Sequence, residues 1–421
     1  MIEPASSFQK TPDQIEAVRL MINQAVAHIL LFGGSRSGKT LIILRQIILR
    51  ALKSKGSCHC VLRRHQVDVK RAIWLGTLPK LLALCFPQGK VKTYEQAMRL
   101  ILPNKSEVWF GGLDKDDKIL GNEYATMFFN EISEIAYEQI EIAQSRLAQR
   151  CPEIINKFFY DCNPPSKSHW SYKLFAEKIH PFENTKLSNP DLYGFMRLNP
   201  EGNRDNLALG YIENTLQGMS ERKKQRFLYG LWADDSENAL WKREAMINPF
   251  RVKSAPEGLE RIVVAIDPAV TKKETSDATG IIIVGMKKGH YYVLDDRTLI
   301  GSPIEWGNTA INAYHEFHAD RVVAEVNQGG DLVQSNLRNI DRTISYRGVR
   351  ATRGKIVRAE PIAALYEQGL VHHVGSFPLL EDEMCCFTGS DNEDSPDRLD
   401  ALVWALSDLS GRACGNRAIP A

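Results

Sequence analysis

The chain has 421 residues, 43% of them hydrophobic and 25% charged, which is enough for two or three domains with apolar cores. Its 53 basic and 51 acidic residues nearly cancel, so a nucleic-acid partner has to be argued from local patches rather than from net charge. Eight cysteines are too few for a disulfide scaffold. No apolar run reaches the roughly 20 residues of a membrane helix, and the first residues lack the pattern of a secretory signal. We therefore expect a soluble protein of a reducing cytoplasm with no membrane partner.

The first half of the chain alternates between strand and helix patterns from about residue 28 to residue 165. The apolar stretches that predict strands are AHILLFGG, CHCVLRR, LILPNKSEVWFGG, ATMFFNE and KFFYDCNPP. Helical patterns lie between several of them, which predicts a mostly parallel sheet with flanking helices. From residue 166 to about 235 the sequence mixes loop signals with short helical patterns, and this predicts a helical lid or connector.

The alternation restarts after Glu260. RIVVAID and DRVVAEV predict strands, and GIIIVGMKKGHYYVLDDRTL predicts a hairpin that turns at Lys288-Gly289. A hairpin followed by strand–helix units predicts a mixed sheet. Helices are predicted at about 303–318, 328–340, 354–368 and 396–411. The predicted division is a first domain at 1–185, a lid and linker at 186–256, and a second domain at 257–421.

A phosphate-binding motif follows the first predicted strand. The stretch GGSRSGKT fits the pattern G-x-x-x-x-G-K-T, in which glycines let backbone N–H groups turn toward phosphates at the positive end of a helix. Lys39 would reach the terminal phosphates, and the Thr40 hydroxyl would hold Mg²⁺. The alternative is an ordinary glycine turn that caps a helix. The residues predicted to bind the nucleotide here are Gly33, Gly34, Ser35, Arg36, Ser37, Gly38, Lys39 and Thr40.

Four further residues bear on the same site. Glu131 follows the apolar run ATMFF and is placed to polarise water for attack on the γ-phosphate, unless it is a strand-end acid that faces solvent. Asn130 stands where an aspartate that helps to hold Mg²⁺ is usual, and it supplies no charge. Gln14 could contact the adenine edge, or it could be a surface helix residue. Asn163 ends a third strand near the phosphates and could couple hydrolysis to motion.

Acidic residues at the ends of predicted elements mark the second domain. Asp267 ends IVVAID and Glu325 ends RVVAEV, and a strand-end acid is costly unless a cation or a hydrogen bond meets it. Asp397 and Asp400 lie three residues apart, on one face at the start of a predicted helix, where the helix dipole alone would also favour acids. Together the acids predict a site for two Mg²⁺ or Mn²⁺ ions, which activate water and stabilise the leaving oxygen of a phosphodiester.

Other residues near these acids are weaker candidates. Ser395 is predicted as the N-cap of the last helix and Pro396 as its first residue. Asp277 is a further acid, although turns favour aspartate for local reasons. Two basic stretches could bind DNA phosphates or could be solvated surfaces. They are LRRHQVDVKR, with Arg63, Arg64, Lys70 and Arg71, and SYRGVRATRGKIVR, with Arg347, Arg350, Arg353, Lys355 and Arg358.

The order of these motifs resembles that of the large terminase subunits of tailed bacteriophages, the motors that package and cut DNA. The matching stretches are GGSRSGKT, FGGLDKDDKILGNEYATMFFNEISEI, DCNPPSKSHW, RFLYGLWAD, AIDPA, AEVNQGGDLV, GKIVRAEPIAALYEQGLVHH and SPDRLDALVWAL. They span nearly the whole chain, and their order and spacing are more specific than any one of them.

The resemblance implies an α/β fold that consists of a P-loop (ASCE) ATPase domain with a helical lid and a ribonuclease H-like nuclease domain. In the first domain, Lys39 and Thr40 would bind ATP phosphates and Mg²⁺, Glu131 would be the catalytic glutamate, and Asn163 would belong to the coupling motif. Asn130 departs from the commonest Asp-Glu form of the family, which leaves the second shell of the Mg²⁺ ion in question.

In the second domain the resemblance implies that Asp267, Glu325 and either Asp397 or Asp400 bind the metal ions of the nuclease, Mg²⁺ or Mn²⁺. The implied partners are double-stranded DNA, a portal protein and a small terminase subunit. The implied assembly is a ring, expected to be a pentamer, that docks transiently on the procapsid in the host bacterial cytoplasm and is absent from the mature virion.

Two other functions would use some of the same motifs. A helicase or repair ATPase fused to a nuclease should carry further helicase motifs with their own arginines, and the sequence has no convincing set. A scaffold that uses ATP only as a conformational switch has no use for the acids at 267, 325 and 397 or 400. The packaging motor accounts for both groups of motifs.

Overall fold

The structure is a computed structural model that describes residues 8–87, 91–114, 121–219, 221–268, 278–326, 330–351, 354–389 and 396–411, without the side chains at 222, 330 and 331. Asp277, Arg353 and Ser395, which the sequence singled out, lie outside the described residues. The chain divides into two compact units, Met1–Asp234 and Asp235–Ala421. The finer division, with a lid and linker at 186–256, stays a prediction.

A mostly parallel sheet forms the centre of the first unit. Within its described residues the strands are β1 His28–Gly33, β2 Cys58–Arg63, β3 Lys92–Tyr94, β4 Arg99–Ile101, β5 Glu107–Gly112, β6 Thr126–Phe129, β7 Lys157–Cys162 and β8 Tyr193–Leu198. Their order across the sheet is β3-β4-β5-β2-β6-β7-β1-β8. The pairs β3–β4 and β4–β5 are antiparallel, and the other pairs are parallel. The predicted parallel alternation is confirmed.

This sheet is buried on both faces. Ile29 and Leu31 of β1 belong to one apolar cluster, whereas Leu30 and Phe32 belong to another, which explains why the strand is a continuous apolar run. The helices of this unit are α1 Pro12–Ile22, α2 Lys39–Lys53, α3 Gln66–Asp68, α4 Leu78–Cys85, α5 Tyr137–Gln144, α6 Trp170–Tyr172 and α7 Glu221–Phe227. π-helical segments cover Val69–Thr77, Lys173–Glu177 and Ile212–Leu216, and 3₁₀ turns cover Ile132–Glu134, Pro190–Leu192 and Pro200–Asn206.

Two parts of the first sheet differ from the prediction. LILPNKSEVWFGG, predicted as one strand, forms the antiparallel pair β4 and β5, because Pro103 has no N–H to donate and the chain turns at Lys105, whose φ is 68°. β8 lies in the segment predicted to contain only loops and short helices. It is an edge strand beside β1 with mostly half-exposed residues, so it lacks the apolar run by which the other strands are recognised.

A mixed sheet forms the centre of the second unit, as predicted. Its described strands are β9 Arg261–Asp267, β10 Gly280–Lys287, β11 His290–Asp296, β12 Arg321–Glu325, β13 Tyr346–Val349 and β14 Val371–His373, in the order β13-β12-β9-β10-β11-β14. β10 pairs antiparallel with β9 and β11, and the remaining pairs are parallel. The hairpin turn at Lys288-Gly289 is confirmed.

The predicted helices of the second unit are also confirmed. The described helices are α8 Pro303–Glu316, α9 Gly330–Ile340, α10 Lys355–Glu367, α11 Pro378–Met384 and α12 Asp397–Ser410, of which α11 was not predicted. A π-helical turn covers Arg243–Ile247 and a 3₁₀ turn covers Asn248–Phe250. α12 packs on β9 and β10 and buries Trp404 in the core. Pro396 is the N-cap of α12 and not its first residue as predicted. Across the described residues, no helix has the length and apolar character to cross a membrane.

Candidate nucleotide site and acidic cluster

The phosphate loop connects β1 to α2 in the first unit, which confirms the predicted strand–loop–helix context. Gly38 precedes α2 with a φ of 85°, a left-handed conformation that favours glycine. Within the loop, the Ser37 hydroxyl donates to the Gly34 carbonyl at 2.9 Å. The Ser35 N–H donates to the Phe227 carbonyl at 2.7 Å. The loop is therefore fixed at the positive end of α2, where a helix favours a phosphate group.

Lys39 is buried at the centre of this loop. Its ammonium group lies within hydrogen-bonding distance of four oxygens: Gly33 O at 3.1 Å, Gly34 O at 2.7 Å, Ser37 Oγ at 3.1 Å and Asn163 Oδ1 at 3.3 Å. Burial lowers the pKa of Lys39, while the nearby carboxyl groups of Glu131 and Asp161 raise it. The contact with Asn163 places this predicted coupling residue directly on the lysine that would hold the phosphates.

Asp161 of β7 connects the phosphate loop to Asn130 and Glu131 at the end of β6. It was not among the residues predicted from the sequence. The Thr40 hydroxyl donates to Asp161 Oδ2 at 2.6 Å. The Asn130 amide and the Glu131 backbone N–H both donate to Asp161 Oδ1 at 2.8 Å. The side chain of Asp161 is fully buried. The signal that could have found it is the one used for Glu131, an acid that follows the apolar run FFY near a strand end.

Glu131 has an unusual backbone conformation at the end of β6. Its φ and ψ are 53° and 56°, a left-handed region that non-glycine residues seldom adopt outside constrained sites. Burial and the neighbouring Asp161 raise the pKa of Glu131, and the Arg63 guanidinium opposes that rise. Arg63 itself lies 3.3 Å from Glu134. Arg63 was predicted as part of a DNA-binding patch. Its ion pair with Glu134 instead directs it toward Glu131, where it influences the pKa of that residue.

The oxygen donors around Thr40 fit a hard divalent cation. The Thr40 hydroxyl and the Asp161 carboxylate meet there, and the Asn130 amide nitrogen donates to both. The Glu131 carboxyl group is close enough for Asp161 to raise its pKa. Mg²⁺ prefers such oxygen donors and usually keeps several waters. The residues present are therefore suited to the Mg²⁺ ion that accompanies a nucleotide.

Gln14 lies against the phosphate loop, and Arg36 is part of the loop. Gln14 is 4% exposed, so the alternative of a surface helix residue is wrong. Its Oε1 accepts from the Thr11 N–H at 3.2 Å in the capping box of α1, and its Nε2 would be 2.7 Å from a Cβ on Gly38. Arg36 is exposed, and its carbonyl accepts from Asn203 Nδ2 at 2.7 Å. Contact of Gln14 with adenine stays a prediction.

The four predicted acids of the second unit lie close together. Asp267 and Glu325 end the parallel neighbours β9 and β12, and parallel strands end at the same edge of a sheet. Asp397 and Asp400 lie in the first turn of α12. Burial raises the pKa of Asp267 well above its usual value, and the charges of Asp400, Glu325 and Asp397 raise it further. These side chains therefore form one acidic cluster.

Two cations on α10 and a tryptophan on α12 contact the acidic cluster. Lys355 Nζ lies 2.7 Å from Asp400 Oδ2. The Arg358 guanidinium lies 3.6 Å from Glu325 and 3.7 Å from Asp400, and it stacks 4.6 Å from the centre of the Trp404 ring. Trp404 Nε1 donates to Glu325 Oε2 at 2.9 Å. The negative charge of the acidic cluster is therefore partly balanced by Lys355, which is exposed, and by Arg358, which is buried.

These contacts change the interpretation of the second basic stretch. Arg358 is 4% exposed, so it cannot contact DNA phosphates as predicted. Arg347 pairs with the buried Asp408 at 2.6 Å, and Lys355 faces Asp400. Arg350 is exposed. The physical reason for the error is that acids on α12 attract basic side chains whose sequence pattern is that of a surface.

The acidic cluster has the donor chemistry of a divalent-metal site. The cluster has four carboxyl groups but only two cations in contact with it, Lys355 and Arg358, so acidic groups are in excess. The ligand atoms that these acids offer are carboxylate oxygens, which suit Mg²⁺ or Mn²⁺. Over the part of the chain that the structure describes, no set of three His, Cys, Asp or Glu side chains is already arranged as a metal site. The residues fit the ions in kind, and their role as ligands stays a prediction.

Two family models match the chain. The terminase large subunit N-terminal domain of T4likevirus type matches residues 30–246, just over half of the chain, and the terminase RNaseH-like domain matches residues 264–409. The chain belongs to the terminase large subunit family. Its first unit is the terminase ATPase domain and its second the RNaseH-like domain, which confirms the predicted α/β fold class. The alternative of a helicase fused to a nuclease is set aside by this membership.

Solved structures of similar proteins include large terminases from several phages. The large terminase of a thermophilic bacteriophage is 15% identical, with 96% of this chain and 99% of that chain covered and a TM-score of 0.48. The ATPase domain of the Thermus phage P74-26 large terminase is 13% identical (55% and 100% covered, TM-score 0.40). The nuclease of the large terminase from the thermophilic phage G20c is 17% identical (35% and 81% covered, TM-score 0.29). The first of these proteins has also been solved with ADP and with ATP-γ-S. No curated protein sequence matches the chain.

Proposed function

We propose that this chain is the motor subunit that packages viral DNA. ATP hydrolysis in the first unit drives double-stranded DNA through the portal into the procapsid, and the second unit cuts concatemeric DNA as a two-metal endonuclease. The observation that carries the proposal is the presence of two chemically different sites in separate units. One is a phosphate loop with a buried Lys39, and the other is the acidic cluster around Asp267.

In the ATPase site each residue has a separate task. Lys39 and the backbone N–H groups of the loop bind the phosphates, and the Thr40 hydroxyl holds the Mg²⁺ ion, which neutralises charge on the phosphate oxygens when bound. Glu131 orients the attacking water and accepts its proton. Asn163, 3.3 Å from Lys39, would sense the loss of the γ-phosphate through that lysine. Gln14 would contact the adenine edge.

In the nuclease site the acidic residues would bind the metal ions, and the residues beside them would hold the acids in position. Asp267, Glu325 and either Asp397 or Asp400 would hold the two Mg²⁺ or Mn²⁺ ions, which supply Lewis acidity toward water and the leaving oxygen when bound. Lys355 lies at Asp400 and Trp404 holds Glu325 by a hydrogen bond, so both fix the orientation of acidic ligands. The exposure of Arg350 suits it to neutralise a DNA phosphate.

The partners follow from the same proposal. They are double-stranded DNA, a portal protein and a small terminase subunit, with this chain in a homo-oligomeric ring, a pentamer, on the procapsid. The site of action would be the host bacterial cytoplasm, with transient docking on the procapsid and no place in the mature virion. ATP is the proposed nucleotide, because the phosphate loop holds a buried Lys39 and the family's first domain is an ATPase.

The test separates the two activities in the purified full-length chain. The wild-type protein is given plasmid, Mn²⁺ and ATP, separately and together, and phosphate release and nicking are measured. Lys39→Ala should abolish ATP turnover and leave Mn²⁺-dependent cleavage, whereas Asp267→Asn should do the reverse. Lys53→Ala, at the exposed end of the same helix as Lys39, and Glu367→Gln, at the exposed end of α10, are the matched controls. Cleavage that needs Lys39, or nicking that survives Asp267→Asn, contradicts the proposal of two sites.

A second experiment addresses translocation. Purified procapsids with portal are mixed with DNA, the small subunit, this chain and ATP, and the DNA protected from added nuclease is measured. Protection that depends on ATP and on Lys39 supports packaging. ATP binding without turnover or protection would instead indicate the switched scaffold.

A further inference from the structure

Asp161 lies between the two strands that carry the nucleotide motifs. β7 pairs in parallel with β6, with Tyr160 opposite Phe129, so Asp161 and Asn130 are the next residues on neighbouring strands. On its other side β7 pairs with β1, where Asp161 is opposite Leu31, shortly before the phosphate loop. The register therefore places one carboxylate between the end of β6 and the loop.

The contacts of Asp161 are those of a carboxylate that acts through its charge. The Thr40 hydroxyl donates to Oδ2, and the Asn130 amide and Glu131 N–H donate to Oδ1. Burial raises the pKa of Asp161, and the donors that converge on its carboxyl group, together with the nearby Lys39, oppose that rise and favour the ionised form. The 2.6 Å distance to Thr40 lies in the range of a hydroxyl bound to a carboxylate. Asn130, at the position where an aspartate is usual, donates to this carboxylate and has no charge of its own.

We propose that Asp161 supplies the negative charge for the Mg²⁺ ion of a bound nucleotide in place of the carboxylate that Asn130 lacks. This inference rests on the proposed ATP binding by the first unit. Asp161 is a positioning residue that acts through the Thr40 hydroxyl, and its bond to the Glu131 N–H leaves the Glu131 carboxylate for the attacking water. The competing account is that Asp161 only holds the Thr40 side chain and the Glu131 backbone in place.

The test measures how much Mg²⁺ tightens the binding of ADP to the full-length chain. The Kd of a fluorescent ADP analogue is measured with EDTA and with excess Mg²⁺, and the ions bound with ADP are counted by Mn²⁺ electron paramagnetic resonance. Asp161→Asn should reduce the gain in affinity from Mg²⁺ by about tenfold or more. The double variant N130D/D161N moves the carboxylate to the neighbouring strand and should recover most of that gain. Asp205→Asn, an exposed acid of the same unit, is the control and should keep the wild-type gain.

The results of the ADP-binding measurements distinguish a charge role of Asp161 from a purely structural one. If Asp161→Asn weakens ADP binding equally with and without Mg²⁺, the role is only structural and the inference is overturned. If Asp161→Asn does not fold, the double variant decides, since a wild-type gain supports the inference and a lost gain in folded protein overturns it. A wild-type chain that binds no ADP in either buffer overturns the proposed ATP site as well, so the two failures are distinguishable.

Discussion

Gly280 of β10 lies against the carbonyl oxygen of Asp397 at the start of α12, so closely that a Cβ on Gly280 would be 2.0 Å from that oxygen. Gly280 is also the cross-strand partner of Asp267. Because Gly280 has no side chain, the start of α12, which carries Asp397 and Asp400, can lie close to β10, next to Asp267 on β9. The distance between Asp267 and Asp397 depends on this glycine.

Gly280→Ala should push the start of α12 away from β10. We expect a loss of about 1–3 kcal/mol in the free energy of unfolding and a larger proportional loss of Mn²⁺-dependent cleavage, with ATP turnover unchanged. Thermal unfolding and plasmid nicking measure the two effects. Gly354→Ala is the matched control, because a Cβ on Gly354 meets nothing within 4 Å. Full cleavage by Gly280→Ala would mean that the close approach does not set the geometry of the acids.

Glu131→Gln should separate nucleotide binding from hydrolysis. The amide keeps the size of the side chain but cannot accept a proton, so the turnover number for ATP should fall by about 10²- to 10⁴-fold while the Kd for ADP stays near the wild-type value. Steady-state phosphate release and fluorescent-nucleotide binding measure these quantities. Glu138→Gln, exposed in α5, should behave as wild type. Turnover that is unaffected by Glu131→Gln would assign the base to another residue.

The acidic cluster should make stability depend on pH when divalent ions are removed. The folded-state pKa of Asp267 lies well above 3.8, so the folded protein keeps this proton to higher pH than the unfolded chain. The stabilising contribution is therefore complete below about pH 4 and is lost as the pH rises toward the folded pKa.

The comparison of Asp267→Asn with wild type in EDTA measures this effect. The variant does not ionise, so its advantage in Tm should be absent near pH 4 and should grow with pH. A tenfold difference in the acid dissociation constant of Asp267 between the folded and unfolded states corresponds to about 1.4 kcal/mol of stability. Each kcal/mol corresponds to about 2–4 °C in Tm for a domain of this size. Mn²⁺ should reduce the advantage at neutral pH, because it offsets the repulsion only where Asp267 is ionised. An advantage that is the same at every pH would show that the acids do not interact as described.

Lys355→Met should make the second unit depend more strongly on divalent ions. Methionine keeps most of the apolar stem of Lys355 but removes the ammonium group 2.7 Å from Asp400. Because Lys355 is partly exposed, we expect a loss of only about 1 kcal/mol in EDTA, and a gain in Tm on adding Mn²⁺ that exceeds the wild-type gain. Lys253→Met, an exposed lysine of the same unit, is the control. Equal Mn²⁺ gains in wild type and Lys355→Met would contradict a counter-ion role for Lys355.

Much of the fold could be predicted from apolar patterns because its central strands are buried on both faces. β1, β2, β6 and β9 appear in the sequence as nearly continuous apolar runs, and α8, α9, α10 and α12 follow the helical period, whereas the short α11 was not predicted. β8 was missed because an edge strand buries only part of each residue. The pair β4 and β5 was predicted as one strand because the pattern on either side of Pro103 is apolar.

The residues of the candidate sites also fall into a predictable group and an unpredictable group. The phosphate loop, Glu131 and the four acids could be predicted because each stands at or near the end of an element that the local sequence reveals. Asp161 was not predicted, although it lies near a strand end as Glu131 does, because its role depends on contacts with Thr40 and Asn130, which are distant in sequence. The inward-facing Arg63 and Arg358 were taken for surface residues, since no local pattern reports the partner of a basic side chain.

Most of the elements, the phosphate-binding motif and the acids of the second domain could be predicted from the sequence alone, because these depend on residues within a few positions of one another. Which side chains a buried charge contacts became visible in the folded chain: Asp161 at Thr40, Arg63 at Glu134, and Lys355 and Arg358 at the acidic cluster. The physical reason is that the register of strands and the packing of helices set these distances, and the energy of a buried charge depends on them.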